Sequence, residues 1–250
     1  MIEGFLSVVF GLVIGSFLNV CIYRLPAEQS VIFPGSHCNM CGSRLKAVDL
    51  VPVFSYLLLG GRCRYCGEKF SPRYALVELL TAGMFYLCWA IFGLSLALPK
   101  GLILISFLIV ITFIDYDHQL IFDKVLVWLA VIGAVFNLAT GEVVILDMVG
   151  SALVGGGFLL IVALVSGGGM GGGDIKFVAA LGLWFGWKLL LLAMMIAFVV
   201  SGITGALLLT LKLKGRKDAI PFGPFIAIGA AISLLYGAPI IRWYWQITVG

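Results

Sequence analysis

The sequence predicts an all-α polytopic membrane protein with about eight transmembrane helices and a small zinc-ribbon-like loop domain. Three observations predict it. The chain of 250 residues is 62% hydrophobic and 11% charged, whereas soluble globular chains are about 45–50% apolar and about 25% charged. Its apolar runs are long and unbroken, which indicates helices, since barrel strands alternate with period two. One sizeable polar stretch, residues 25–74, interrupts them and carries four of the six cysteines.

The first apolar run covers 5–23. Glu3 is the only early charge and Arg24 follows the run where a signal peptide would have a small-residue cleavage site, so it reads as a retained span. Further spans are expected at 75–93, 101–114, 125–140, 148–166, 175–186, 189–211 and 220–238. With the N-terminus outside, the inner segments hold Arg24, Arg44, Lys46, Arg62, Arg64, Lys69, Arg73, Lys124, Lys176, Lys212, Lys214, Arg216 and Lys217. The outer segments hold only Lys100, Lys188 and Arg242. This is a strong positive-inside asymmetry. Merging the sixth and seventh spans across the tight Gly186-Trp187-Lys188 turn would put Lys212 to Lys217 on the wrong side. The domain organisation that follows is a first transmembrane helix at 1–24, a cytoplasmic loop at 25–74 and a seven-helix core at 75–250. Gly155 to Gly157, Gly202, Gly205 and Ala206 are expected to let helices pack closely. The net charge of +4 is small and says little about partners; no nucleic-acid partner is expected. Lipid is the expected surroundings, and no oligomeric state is set.

The loop is too short to bury a self-sufficient core and needs a staple. The pairs Cys38-Asn39-Met40-Cys41 and Cys63-Arg64-Tyr65-Cys66, separated by 21 residues, supply one. Two CxxC pairs at this spacing match a tetrahedral zinc site. Gly42 and Gly67 follow the pairs and suit the tight knuckle turn. A cytoplasmic location disfavours disulfides. His37 is expected to be a neighbour and not a ligand, because four cysteines fill the site. Cys21 and Cys88 lie in apolar spans and read as small buried hydrophobes.

Two aspartates stand where a membrane is expected. Asp115 ends the third apolar run, and Asp174 lies in Gly171-Gly172-Gly173-Asp174-Ile175-Lys176. A carboxylate at bilayer depth costs about 2.5–3.5 kcal/mol on insertion scales. Both fall at the cytoplasmic ends of their helices. Two close carboxylates cannot both ionise easily, so one keeps a proton while the other acts as general base towards water. Glycines such as Gly171 and Gly173 remove side-chain bulk, so that a peptide substrate can lie along the main chain. The plainer reading is a flexible linker with Asp174 capping the next helix. Asp117 and Asp123 lie further out, where water is available; the plain reading is a solvated loop and a helix cap, favoured for Asp123 and left open for Asp117, while His118 is either a proton carrier or a surface loop histidine. Lys176 either fixes Asp174 or follows the positive-inside pattern.

With these residues in place, the chain resembles the type IV prepilin peptidases, also called prepilin leader peptidase/N-methyltransferases, of the GxGD aspartic protease type. The resemblance spans nearly the whole chain. The run from Gly15 to Pro26 is similar to the family's GSFLNV-x-IYRLP, and the four cysteines to its zinc-binding loop. Ser71-Pro72-Arg73-Tyr74 and Val77-Glu78-Leu79 resemble the segment entering its second helix. Asp115 and Asp174 fall on its two catalytic aspartates. Phe122 and Ala75 stand where the family usually has proline, so the turn after Asp115 is expected to be looser. The resemblance implies a bacterial inner-membrane aspartic endopeptidase. It would remove the short basic leader of prepilins and pseudopilins, for type IV pili or type II secretion, after a glycine. It also implies methylation of the new N-terminal amine with S-adenosylmethionine, placed at the cytoplasmic loop and the motif at 15–26, with no methyl-donor residues identified. Glu78 is a candidate for contact with the basic leader, or for an ion pair with a loop arginine.

Two other classes compete. A transporter relaying protons through buried carboxylates would leave the cysteine loop unexplained. A zinc-bearing secretion-assembly factor without catalysis would leave both aspartates unexplained.

Overall fold

The computed structural model describes residues 2–215, 218 and 220–248; Arg216 and Lys217, two of the expected inner cations, lie outside them. The helices are α1 (Ile2–Arg24), a short α2 (Phe54–Leu58), α3 (Arg73–Phe92), α4 (Ala97–His118), α5 (Asp123–Thr140), α6 (Ile145–Val165), α7 (Gly172–Thr210) and α8 (Gly223–Thr248). Among the described residues seven helices are long and apolar enough to cross a bilayer. Their outer faces carry exposed apolar side chains such as Phe5, Leu146 and Ile161, as contact with hydrocarbon requires.

The chain forms two compact units, residues 1–110 and 111–250, so the division falls within α4. In the first, α1 packs on α3. Gly11 and Gly15, four residues apart, permit it. A Cβ on Gly11 would stand 2.6 Å from the Ala82 Cα, and one on Gly15 would stand 2.7 Å from the Glu78 Cα. This is the small-xxx-small approach of membrane helices.

In the second unit α5, α6 and α8 all pack on α7. A straight helix of 39 residues would be about 58 Å long, far more than a bilayer core of about 30 Å. Helix α7 is instead a hairpin. Gly186, at φ 67° and ψ 179°, breaks it, and both halves run back along α6. A Cβ on Gly155 would meet both Val178, before the break, and Leu190, after it. Gly156 lies against Ala179, while Phe158 meets the Phe198 ring edge-on at 6.2 Å. The expected sixth and seventh spans are therefore both present, giving eight crossing segments.

The break frees backbone groups that hydrocarbon cannot satisfy, and side chains from two other helices take them. The Asn137 Nδ2 of α5 donates to the carbonyls of Leu183 and Trp184 at 2.7 and 3.1 Å. The Trp187 amide donates to Asp147 Oδ1 of α6 at 2.9 Å. Two features demand glycine at 186. Its φ is positive, and any Cβ there would stand 2.6 Å from the Asp147 carboxylate.

The expected packing role holds for Gly155 and Gly156. It fails for Gly157, Gly202 and Gly205, where a Cβ would meet nothing within 4 Å. Composition alone does not say which face of a helix a glycine occupies.

Candidate active site and metal centre

Helix α4 runs past the predicted end of its apolar run to His118. Asp115 therefore sits inside its last turn, not after it, and Asp117 and His118 are helical, not in a loop. One turn beyond the hydrocarbon the peptide hydrogen bonds still favour helix, which hydropathy alone cannot register. Asp115 is 5% exposed. Its Oδ2 accepts the Gly223 N–H, which opens α8, at 3.0 Å.

Asp174 is the third residue of α7 and is 8% exposed. Its carboxylate lies against the Gly171 backbone amide, the reach-back half of a capping box, so the expected cap is present in part. The same carboxylate lies within the electrostatic reach of Asp115. Helices α4, α7 and α8 thus bring two buried carboxylates and one backbone donor together.

The first half of α7, residues 172–185, is short, about 21 Å as helix against about 30 Å of hydrocarbon. Its far end carries Trp187 and Lys188, residues suited to an interface. Asp174 lies near the other end of this short segment.

The glycines before Asp174 act through close approach and not through unusual dihedrals. Gly171 has φ −70°, and a Cβ there would stand 3.1 Å from Asp174 Oδ2. A Cβ on Gly173 would stand 2.9 Å from the Ile121 Cβ, so the turn after α4 covers it. Lys176 does not touch Asp174. Its Nζ pairs with both carboxylate oxygens of Asp123 at 2.8 and 2.7 Å, tying the start of α5 to α7. Asp123 is thus an ion-pair partner in the first turn of α5, and the cap position belongs to Phe122. Phe122 has φ −76°, the value a proline would impose, so the turn is not looser for lacking it.

In the other unit, the Sγ atoms of Cys38, Cys41, Cys63 and Cys66 lie within 4.8 Å of one another. The Cys38 and Cys66 sulfurs are 3.8 Å apart, and a tetrahedral zinc with bonds of about 2.3 Å sets an edge of about 3.8 Å. Two matching turns build the group. Gly42 (φ 68°) and Gly67 (φ 74°) donate to the Cys38 and Cys63 carbonyls at 2.8 and 2.9 Å. Hydrogen bonds from Ser43 bring the Cys41 thiol down to about 6, and the Tyr65 and Cys66 amides lower that of Cys63. Against the Glu68 amide, burial and the neighbouring sulfurs push Cys66 up to about 12. A central divalent cation is what lets all four ionise together, so the donor set fits zinc. His37 turns its Nδ1 to the Gly35 carbonyl at 3.0 Å, a neighbour and no ligand. Arg64 Nε donates to Asp49 Oδ1 at 2.6 Å, bracing the second knuckle.

Glu78, 7% exposed, makes no ion pair with a loop arginine. It accepts the Val53 amide at 2.7 Å and lies against the Ser16 side chain. Val53 holds φ 62°, a rare state for a β-branched residue.

Sequence reasoning missed Gly223 and the Asp123–Lys176 pair. A glycine between Phe222 and Pro224, near the start of the last apolar run, was the only trace of the first. Opposite charges 53 residues apart carry no local signal of the second.

A multi-pass helical membrane protein with two interacting buried carboxylates and a separate tetracysteine loop is the class these observations define. Residues 9–92 match the model of the Bacterial Peptidase A24 N-terminal domain, and residues 102–206 that of the Type IV leader peptidase family. The prepilin leader peptidase/N-methyltransferase of Bacillus subtilis is 33% identical, over 97% of this chain and 98% of its own. Those of Legionella pneumophila and Pseudomonas aeruginosa are 36% and 34% identical, covering 94% and 96% of this chain and 92% of each relative. No solved structure matches. The chain belongs to the type IV leader peptidase family.

Proposed function

We propose that this chain is an intramembrane aspartic endopeptidase that removes the short basic leader of prepilins or pseudopilins and then methylates the exposed amine with S-adenosylmethionine. The observation that carries the first half is that Asp115 and Asp174 are both buried and Asp174 lies within the electrostatic reach of Asp115, with Gly223 donating to Asp115. The names of relatives similar over nearly the whole chain carry the second.

The pair shares one proton and titrates as a unit. The ionised carboxylate takes a proton from water as the water attacks the scissile carbonyl. The protonated one donates to that carbonyl oxygen and afterwards helps protonate the leaving amine. Gly223 fixes Asp115 through a backbone donor, which no side-chain motion can withdraw. Lys176 and Asp123 hold the turn after Asp115 against the start of α7, so their role is positioning. The bare main chain at Gly171 is where an extended peptide can lie next to Asp174. Cys38, Cys41, Cys63 and Cys66 hold a structural zinc. The N-terminus faces outward from a bacterial inner membrane, by the excess of Lys and Arg on inner segments.

The test is cleavage of a pilin-type precursor by purified protein. Asp115→Asn and Asp174→Asn, each alone, are expected to abolish cleavage while the protein inserts and keeps its zinc. Cleavage at a near wild-type rate by either variant overturns the pair.

A further inference from the structure

The polar loop of the first unit turns an apolar face outward. Its helix α2, Phe54–Leu58, has two sides. Ser55 and Tyr56 look into the protein, where with Leu59 they line a cavity, and the Tyr56 hydroxyl donates to the Phe70 carbonyl at 3.4 Å. Phe54, Leu57 and Leu58, at helical neighbour spacing, are 61%, 69% and 86% exposed. Leu50 and Val51 extend the exposed strip. A helix on a loop in water puts its polar side chains outside. This one is the reverse, as suits a helix lying in lipid.

Hydrogen bonds fix its depth. Helices α1 and α3 run antiparallel, with Asn19 Nδ2 donating to Tyr74 O and Ser7 Oγ to Phe85 O, both at 2.9 Å. The 20 residues of α3 cover about 30 Å, the thickness of the hydrocarbon. Glu78 lies about 7 Å along it from Arg73. Helix side chains lean towards the N-terminus, so the Glu78 carboxylate reaches back towards the Arg73 end, where it accepts the Val53 amide at 2.7 Å. Val53 directly precedes α2 and is thus held level with the first two turns of α3, not beyond them. Its φ of 62° is a strained state for a β-branched residue. After α2, Gly60 and Gly61, at φ 60° and 67°, turn the chain back, and a Cβ on Gly61 would stand 2.8 Å from the Tyr56 ring. Fixed at both ends, α2 keeps its Phe54 side outward.

The strip continues a surface that already faces lipid. Phe17 of α1 and Leu76, Leu79 and Leu80 of α3 are exposed at neighbouring depths. Arg62 and Lys69, exposed and bridged to each other just after α2, have the length and charge to reach lipid phosphates. The other exposed apolar tips of the loop differ. Ile32–Phe33 and Met40 neighbour Ser30 and Asn39, whose bonds to α1 are with Arg24 and Tyr23 at its very end.

We propose that residues 50–58 are a membrane anchor within the loop: α2 lies in the leaflet at the Arg24 end of α1, with Phe54, Leu57 and Leu58 among the upper acyl chains. The loop is then held to the bilayer between its two cysteine pairs as well as at its ends. The anchor requires that α1 and α3 span the membrane and takes nothing from the peptidase chemistry.

The test uses unmutated full-length protein in phosphatidylethanolamine–phosphatidylglycerol vesicles. A phospholipid with a photoactivated diazirine high on its acyl chain labels the protein, and mass spectrometry maps the label. Label in 50–59 is expected at no less than about a fifth of that in the α3 stretch 76–80, given insertion to interfacial depth. A lower yield with 76–80 labelled overturns the anchor. Saturating pilin-type precursor is expected to leave the label in place. Loss of label to the precursor overturns the anchor in favour of a face that docks substrate. The double variant Leu57→Asp, Leu58→Asp is expected to cut label in 50–59 at least fivefold, with zinc content and label at 76–80 unchanged. Undiminished label in that variant overturns the anchor as well.

Discussion

At the scale of single residues, the aspartates were legible because a carboxylate in an apolar run is expensive and stands out. What holds them was not. Gly223 acts through its backbone amide, and a backbone amide has no residue type to read. Its missing Cβ matters as much, because a methyl there would stand 2.6 Å from Asp115 Oδ2. Gly223→Ala is therefore expected to displace the carboxylate and lower cleavage by about a hundredfold, as angstrom-scale misplacement does, with zinc content unchanged. Steady-state cleavage of a precursor peptide checks it, and a loss of less than twofold contradicts it. Glu78 shows the opposite case. Its residue type was visible, but its partner, the Val53 amide, is fixed by a loop conformation that no periodicity encodes.

At the scale of elements, hydropathy located all the apolar helices and misjudged their ends. The third span gained a turn, which carries Asp115 into its last turn and continues the helix through Asp117 and His118. The final helix continues through Pro239 to Thr248, ten residues beyond the apolar span expected to end at 238. Local chemistry did better at the knuckles, where CxxC followed by glycine specifies a backbone turn as well as ligands. The turn before α5 offers a sharp test. Phe122 holds φ −76°, and its amide has no hydrogen-bond acceptor among the described residues. Phe122→Pro is expected to keep cleavage and raise the thermal-inactivation midpoint by roughly 1–4 °C, through reduced freedom of the unfolded chain. A fall in the midpoint would show that the turn needs that amide.

At the scale of the whole molecule, composition settled the class and cysteine spacing settled the loop, whereas the two-unit division within α4 left no mark in the sequence. The zinc site is expected to govern one unit only. The loop at 25–72 has one five-residue helix, a 3-10 turn at Ala47–Asp49 and two isolated bridges, so its order depends on the metal. Chelation of zinc, or Cys38→Ser, is expected to open 25–72 to protease while fragments from 111–250 stay resistant. Limited proteolysis with mass mapping checks it, and equal protection of the loop with and without chelator contradicts it.

The break at Gly186 also bears on how the chain is made. A 14-residue segment, 172–185, is too short and too glycine-rich at its start to hold itself across a bilayer while the ribosome is still adding residues. Its partition into lipid waits for the following half to emerge. Synthesis should therefore deliver the pair in one concerted step, late, after Leu190 has cleared the exit tunnel. A nascent-chain tension profile is expected to record a single pull for 172–210, and Gly186→Val, which straightens the bend, should split or delay it.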